Sequence, residues 1–131
     1  MIIDSSALLA ILLAEPDAPR FARAIATTRR RRVPSVTWFE ASMRIDQAGD
    51  AIAASRFDDF TREFQLELVP FTAEHARLAR QARRQYGKPH HPAQLNFGDC
   101  LVYGVAKHEG EPLLFKGDDF IHTDIEPALK D

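Results

Sequence analysis

Short, mainly apolar runs alternate along this chain with longer stretches whose apolar residues recur at helical spacing. The runs at Met1–Ile3, Val33–Val36, Leu66–Phe71 and Leu113–Gly117 predict four strands. Between them the spacing predicts helices. Ser5 or Ser6 caps the first, which runs to Leu13 and is stopped by Pro16. Asp17 opens a second, with Phe21, Ala22, Ile25 and Ala26 on one face. A third spans about Thr37 to Ala48, and a fourth opens at Asp50 and turns Ile52, Phe57, Phe60 and Phe64 inward. Thr72 caps a fifth, which carries Leu78, Ala79, Ala82 and Tyr86 and ends at Gly87. Asn96 caps a last helix from Phe97 to Glu109, with Gly110 as its stop.

Strands separated by helices imply right-handed crossovers and a parallel sheet covered on both faces. The expected fold is an α/β, three-layer α/β/α sandwich around a short central parallel sheet. No linker, repeat or low-complexity tract interrupts the chain, so residues 1–131 read as a single domain.

Composition changes this picture little. A chain of 131 residues, 45% hydrophobic and 27% charged, is sized and balanced for one ordinary core. With a net charge of −2, the overall balance gives no support to nucleic-acid binding, so any such case rests on where charges sit. Cys100 is the lone cysteine, which rules out an internal disulfide. Asp4 stands where a secretory leader needs a basic start, and the apolar run Ala7–Ala14 is too short to span a bilayer. A cytoplasmic protein with no membrane association is expected.

The placement of the acids is more informative. Asp4 follows the first strand, and Asp118 and Asp119 follow the fourth, at the carboxyl edge where open parallel sheets form their ligand crevices. Glu40 lies early in the helix after strand two, amid Trp38, Phe39, Ala41 and Met43. Asp99 lies in the first turn of the last helix, and helix starts that follow parallel strands point to that same edge. Carboxylates gathered there would repel one another and hold their protons too tightly, a conflict that a divalent cation removes. Mg²⁺ or Mn²⁺ suits such hard oxygen ligands, and no Cys/His pair has zinc spacing. Each acid has a plainer reading as a helix cap, a first-turn residue or a turn. The combined spacing carries more than any single acid.

Four segments together resemble the PIN-domain proteins, specifically the VapC-type ribonuclease toxins. They are Met1-Ile-Ile-Asp4-Ser5-Ser6-Ala7-Leu8, Pro34-Ser-Val-Thr-Trp-Phe-Glu40, Leu95-Asn96-Phe97-Gly98-Asp99-Cys100, and Leu114-Phe115-Lys116-Gly117-Asp118-Asp119-Phe120 with His122-Thr123-Asp124-Ile125. The first is weakly specific. The third and fourth, in this order and spacing, are strong.

The resemblance implies Mg²⁺- or Mn²⁺-dependent hydrolysis of RNA phosphodiester bonds, with Asp4, Glu40, Asp99 and Asp119 as catalytic acids. Asp4 and Asp99 would be the principal metal ligands. Many PIN domains carry their fourth acid where this chain has Gly117, leaving Asp118 and Asp119 to supply it here. Side chains alternate at a strand end, so only one of the two readily faces the cleft. The Gly-x-Asp-Phe pattern of the resembled subgroup selects Asp119. Ser6 and Asn96 are candidate supporting residues, as well as helix caps.

An acidic pocket needs basic flanks to hold RNA. Arg83, Arg84 and Lys88, followed by His90 and His91, lead into the Asp99 helix and are the favoured guiding surface. The run Arg29–Arg32 is read instead as a solvated loop. The resemblance further implies a VapB-like antitoxin partner and a homodimer. Two rivals stand beside it. One is a PIN fold kept as a catalytically silent binding module. The other is a different acid-cluster phosphohydrolase of the haloacid-dehalogenase kind, which needs Asp-x-Asp after strand one, where this chain has Ser6.

Overall fold

In the computed structural model, residues 1–87, 89 and 91–130 are described. Four short strands, β1 (Ile2–Ile3), β2 (Arg32–Pro34), β3 (Glu67–Val69) and β4 (Leu113–Leu114), pair in the order β3-β2-β1-β4, every pair parallel. Six helices surround them: α1 (Ser5–Leu12), α2 (Ala18–Thr27), α3 (Ser35–Gln47), α4 (Ala51–Glu63), α5 (Ala73–Tyr86) and α6 (Phe97–Glu109).

Alternation along the strands creates the layers. Ile3, Val33 and Leu114 face one core with Leu8, Phe21, Ile25, Ile45 and Phe57 from α1 to α4. Ile2, Val69 and Leu113 face the other, with Ala79, Tyr86, Val102 and Val105 from α5 and α6. Complete burial of side chains such as Leu8, Ile25 and Val102 contributes about 1.5–3 kcal/mol each. α5 and α6 approach closely because Gly104 has no side chain, and an added Cβ would sit 2.4 Å from the His75 carbonyl oxygen. The α/β/α sandwich read from the sequence is the fold observed.

The strands are shorter than their apolar runs. β3 pairs only over the three residues that β2 offers, so Leu66 and Phe71 lie outside the ladder. β4 stops at Leu114, since the Lys116 N–H turns to Ser6 Oγ (2.9 Å) and Gly117 adopts φ +101°. α3 begins at Ser35 directly after Pro34, two residues before the expected Thr37. The first helix is capped by Asp4 rather than by either serine, because the carboxylate accepts the Ser6 N–H at 3.1 Å.

The arginine run also departs from its reading as a solvated loop. Arg31 donates to the carbonyls of Ala26 (3.0 Å) and Phe64 (3.0 Å), so it ties the end of α2 to the end of α4. Arg32 opens β2 and pairs with Glu109 at 2.9 Å, with Glu67 at 3.3 Å and with Glu111. The N-terminal amine donates to Glu111 at 2.5 Å. These groups form an ion-pair network at the amino end of the sheet. Among the described residues no helix is long and apolar enough to cross a membrane.

Candidate metal centre

The carboxyl edge of the sheet gathers acids from four distant parts of the chain. Asp4, 5% exposed, ends β1 and begins α1, and one carboxylate oxygen accepts both the Ser6 N–H (3.1 Å) and the Ser6 hydroxyl (2.5 Å). Ser6 Oγ in turn accepts the Lys116 N–H just past β4 (2.9 Å), which joins two neighbouring strand ends to one carboxylate. Burial pushes the Asp4 carboxyl up to about 6, against the lowering effect of the Ser6 bonds, and the charge of Glu40 raises it further.

Asp99 occupies the third position of α6 in a reciprocal cap. Its N–H donates to Asn96 Oδ1 (2.9 Å), and its own Oδ2 accepts the Asn96 N–H (3.1 Å). Its carboxyl is pushed up to about 7, first by burial and then by the charges of Asp4 and Asp119. The neighbouring Asp119, like Asp4, favours the protonated form of Asp99. The plain and the functional readings of Asp4 and Asp99 are therefore not exclusive: each caps a helix and faces the cluster.

Asp118 and Asp119 are both exposed, but Asp119 lies near enough to Asp99 to raise its carboxyl, whereas Asp118 lines a separate groove with Lys116, Phe115 and Ile121. Gly117, in the left-handed region, makes the turn, and the buried Phe120 ring packs against Phe115 at 5.2 Å to anchor it.

Glu40 approaches from α3, half-buried, beside the first turn of α6. Gly98 admits it there, since an added Cβ would lie 2.5 Å from Glu40 Oε2. Sequence reasoning gave Gly98 no role. Its place immediately before Asp99 was the one available signal, and only the packing of α3 against α6 gives that signal a meaning. The segment after Phe120 is structural: Asp124 accepts bonds from the Tyr103 hydroxyl (2.6 Å) and Lys107 (2.6 Å), which pins the C-terminal segment to α6.

Of the expected RNA-guiding residues, Arg83 lines a groove between α5 and α6 with Arg80, Asn96 and Phe97. Arg84 is exposed but outside that lining, and Lys88 lies outside the described residues. His90 also falls outside them. His91 accepts the Ala93 N–H on Nδ1 (3.0 Å) and packs edge-on against Tyr86.

The donor set of the acid cluster, carboxylate oxygens throughout, fits a hard divalent cation such as Mg²⁺ or Mn²⁺. Among the described residues, no three of the acids bring ligand-type atoms within 4.8 Å of one another, and the group that does so is His75, His108 and Glu109. It is a poor cation site. His75 Nδ1 accepts the Thr72 backbone N–H (3.0 Å), so the neutral ring carries its proton on Nε2, which faces Glu109 Oε2 at 3.3 Å. A cation at Nε2 would have to displace that proton from a ring that has no other place for it. The trio is a hydrogen-bonded extension of the Arg32 network, at the far end of α6 from Asp99.

The comparisons agree with this fold. The model of the PIN domain family matches residues 1–126. Ribonuclease VapC28 of Mycobacterium tuberculosis is 42% identical over 130 residues, covering 98% of each chain. Ribonuclease VapC30 of the same organism is 43% identical over 125 residues, covering 95% of each. Among solved structures, the fold is shared with VapC20 of M. tuberculosis, titled a sarcin-ricin loop cleaving toxin, at TM-score 0.76 and 13% identity over 95% of each chain. It is shared too with a chain of a toxin-antitoxin complex from Klebsiella pneumoniae, at TM-score 0.71 and 14% identity, covering 94% of this chain and 92% of that one. With matches that run nearly end to end, this chain belongs to the PIN-domain family, among the VapC ribonucleases.

Proposed function

We propose that the chain works as one metal-dependent nuclease domain that hydrolyses RNA phosphodiester bonds, as the cytoplasmic toxin of a toxin–antitoxin pair. The observation that carries this reading is the convergence of Asp4, Asp99 and Asp119, with Glu40 beside them, at the carboxyl edge of the sheet. Asp4 and Asp99 would hold the cation, and Asp119 and Glu40 would complete the acidic pocket. Ser6 fixes the orientation of Asp4 through its 2.5 Å bond, and Asn96 fixes Asp99 through the reciprocal cap. When bound, Mg²⁺ or Mn²⁺ stabilises charge on a phosphoryl oxygen and lowers the pKa of an attacking water. Burial and crowding raise the Asp4 and Asp99 carboxyls to about 6 and about 7, and a cation bound between them would favour their ionised forms.

A VapB-like antitoxin as protein partner and a homodimeric state complete the proposal. The curated VapC relatives and the fold shared with a toxin-antitoxin complex support the antitoxin. The homodimer rests on the family resemblance, and sedimentation analysis tests it. The activity is tested by incubating the protein with total bacterial RNA. Cleavage that stops with EDTA and returns with Mg²⁺ or Mn²⁺, but not Ca²⁺ alone, is expected. Cleavage that persists in EDTA, or inertness toward all RNA with either cation, defeats the reading.

A further inference from the structure

Phe97 is the first residue of α6 and stands two positions before Asp99, yet its ring is 80% exposed. The helix does not need it: the reciprocal bonds of Asn96 and Asp99 already satisfy the helix start. The ring forms a ridge between two grooves. One, of about 580 Å³, lies between α3 and α6 and is lined by Phe39, Glu40, Met43, Gly98 and Leu101. The other, of about 460 Å³, lies between α5 and α6 and is lined by Arg80 and Arg83, the latter's guanidinium also lying against Gly87. An aromatic face thus separates an edge of the acid pocket, at Glu40, from a cationic groove.

A ligand that fits both sides of this ridge must offer a π face and anionic groups close together. An unpaired RNA nucleotide does so, because its base can stack on an aromatic ring while its phosphates meet arginine. An apolar protein segment would fit the α3–α6 groove but would leave the arginine-lined groove unused, so the charge distribution favours RNA.

We propose that Phe97 is the stacking platform for an unpaired base next to the scissile phosphodiester, with Arg80 and Arg83 guiding the adjoining backbone. This rests on the nuclease reading above. It assigns to Phe97 the positioning of substrate, and to the acids the chemistry.

The test first maps where the wild-type protein cuts total bacterial RNA. It then uses a short unstructured oligoribonucleotide spanning that cut, and the same oligonucleotide with an abasic residue at each flanking position in turn. Phe97→Ala and Phe97→Leu should each raise KM about tenfold and change kcat less than about twofold, whereas Phe97→Trp should keep the wild-type KM. At one flanking position, the abasic substrate should raise the wild-type KM by the same factor and add nothing further in Phe97→Ala. Thermal midpoints confirm that the variants are folded.

A wild-type KM in Phe97→Leu, or abasic and Phe97→Ala effects that multiply at every position, overturns the platform. So does Phe97→Ala that cleaves normally but loses self-association or antitoxin binding, which would make the ridge a protein contact. If the wild type cuts no RNA, the nuclease reading falls and this inference with it. If the wild type cuts and the Phe97 series is indifferent, only the platform falls.

Discussion

The two ends of the sheet handle charge in opposite ways. At the carboxyl end, Asp4, Asp99 and Asp119 bring like charges together, and two of their carboxyls are pushed up to about 6 and 7. At the amino end, Arg32, the N-terminal amine, Glu67, Glu109 and Glu111 bring opposite charges together. There, hydrogen bonds from His108, His75 and Arg32 hold the Glu109 carboxyl down at about 2. α6 connects the two ends, with Asp99 in its first turn and Glu109 in its last. The amino end has its charges compensated within the chain, so it serves stability. Among the described residues the carboxyl end is left with an excess of one sign, which on the proposed reading a divalent cation compensates, and this excess marks it as the candidate site.

The sharpest break of this contrast removes single acids. Asp4→Asn, Asp99→Asn and Asp119→Asn should each lower RNA cleavage by about 10²–10³-fold, the loss typical of removing one preorganised electrostatic group. None should unfold in EDTA, because a neutral amide relieves the crowding. Asp118→Asn, which removes a groove residue outside the cluster, should stay within about threefold of wild type. Cleavage assays under saturating Mn²⁺, paired with thermal melts, decide. An inactive Asp118→Asn beside an active Asp119→Asn reverses the assignment of the fourth acid.

The reciprocal break is Arg32→Ala. It leaves Glu109 and Glu111 facing each other without their shared partner, at a cost of about 2–3 kcal/mol, or roughly 10 °C in midpoint. At a temperature where both proteins are folded, cleavage should match wild type. A variant that keeps its midpoint but loses activity would show that the amino end takes part in the chemistry.

A finer measurement follows the two ends by pH in the metal-free protein. Asp4 and Asp99 titrate above their unfolded values, so between about pH 4 and 7 the folded state binds more protons and stability falls as pH rises. Glu109 titrates below its unfolded value, so its contribution is present above about pH 4.5 and is lost as pH falls toward 2. The thermal midpoint in the absence of divalent cations should therefore peak near pH 4. Asp99→Asn should flatten the alkaline limb and Glu109→Gln the acid limb. A midpoint that climbs steadily from pH 5 to pH 7 contradicts the crowding at the carboxyl end.

Most of the elements could be read from the sequence because their signals are local. Apolar spacing at 3.6 residues and caps such as Asn96 before Asp99 act within one or two turns of chain, and the structure places α6 at the predicted residues. That Asp4 and Asp99 lie toward one edge also follows from local order, since each begins a helix and parallel strands share one direction. Strand lengths were not legible in the same way. Hydrogen-bonded pairing ends where the partner strand ends, and nothing in Leu66 or Phe71 records that β2 is three residues long. The role of the arginine run was hidden for the same reason. A solvated loop and a pairing network use the same letters, and only the arrival of Glu67, Glu109 and Glu111 from 35 or more residues away distinguishes them.

By itself, then, the sequence determined which acids are the candidates for the chemistry and which ends of which elements present them, because periodicity, capping and strand direction are properties of neighbouring residues. Tertiary structure placed Asp119, the residue that the resemblance selects, near Asp99, and it alone set the Glu40 carboxylate against position 98. It also decided that the aromatic ring of Phe97 stands between an acidic and a basic groove. Each of these depends on distances between segments brought together by packing, and distances of that kind are set by the whole core rather than by any stretch of chain.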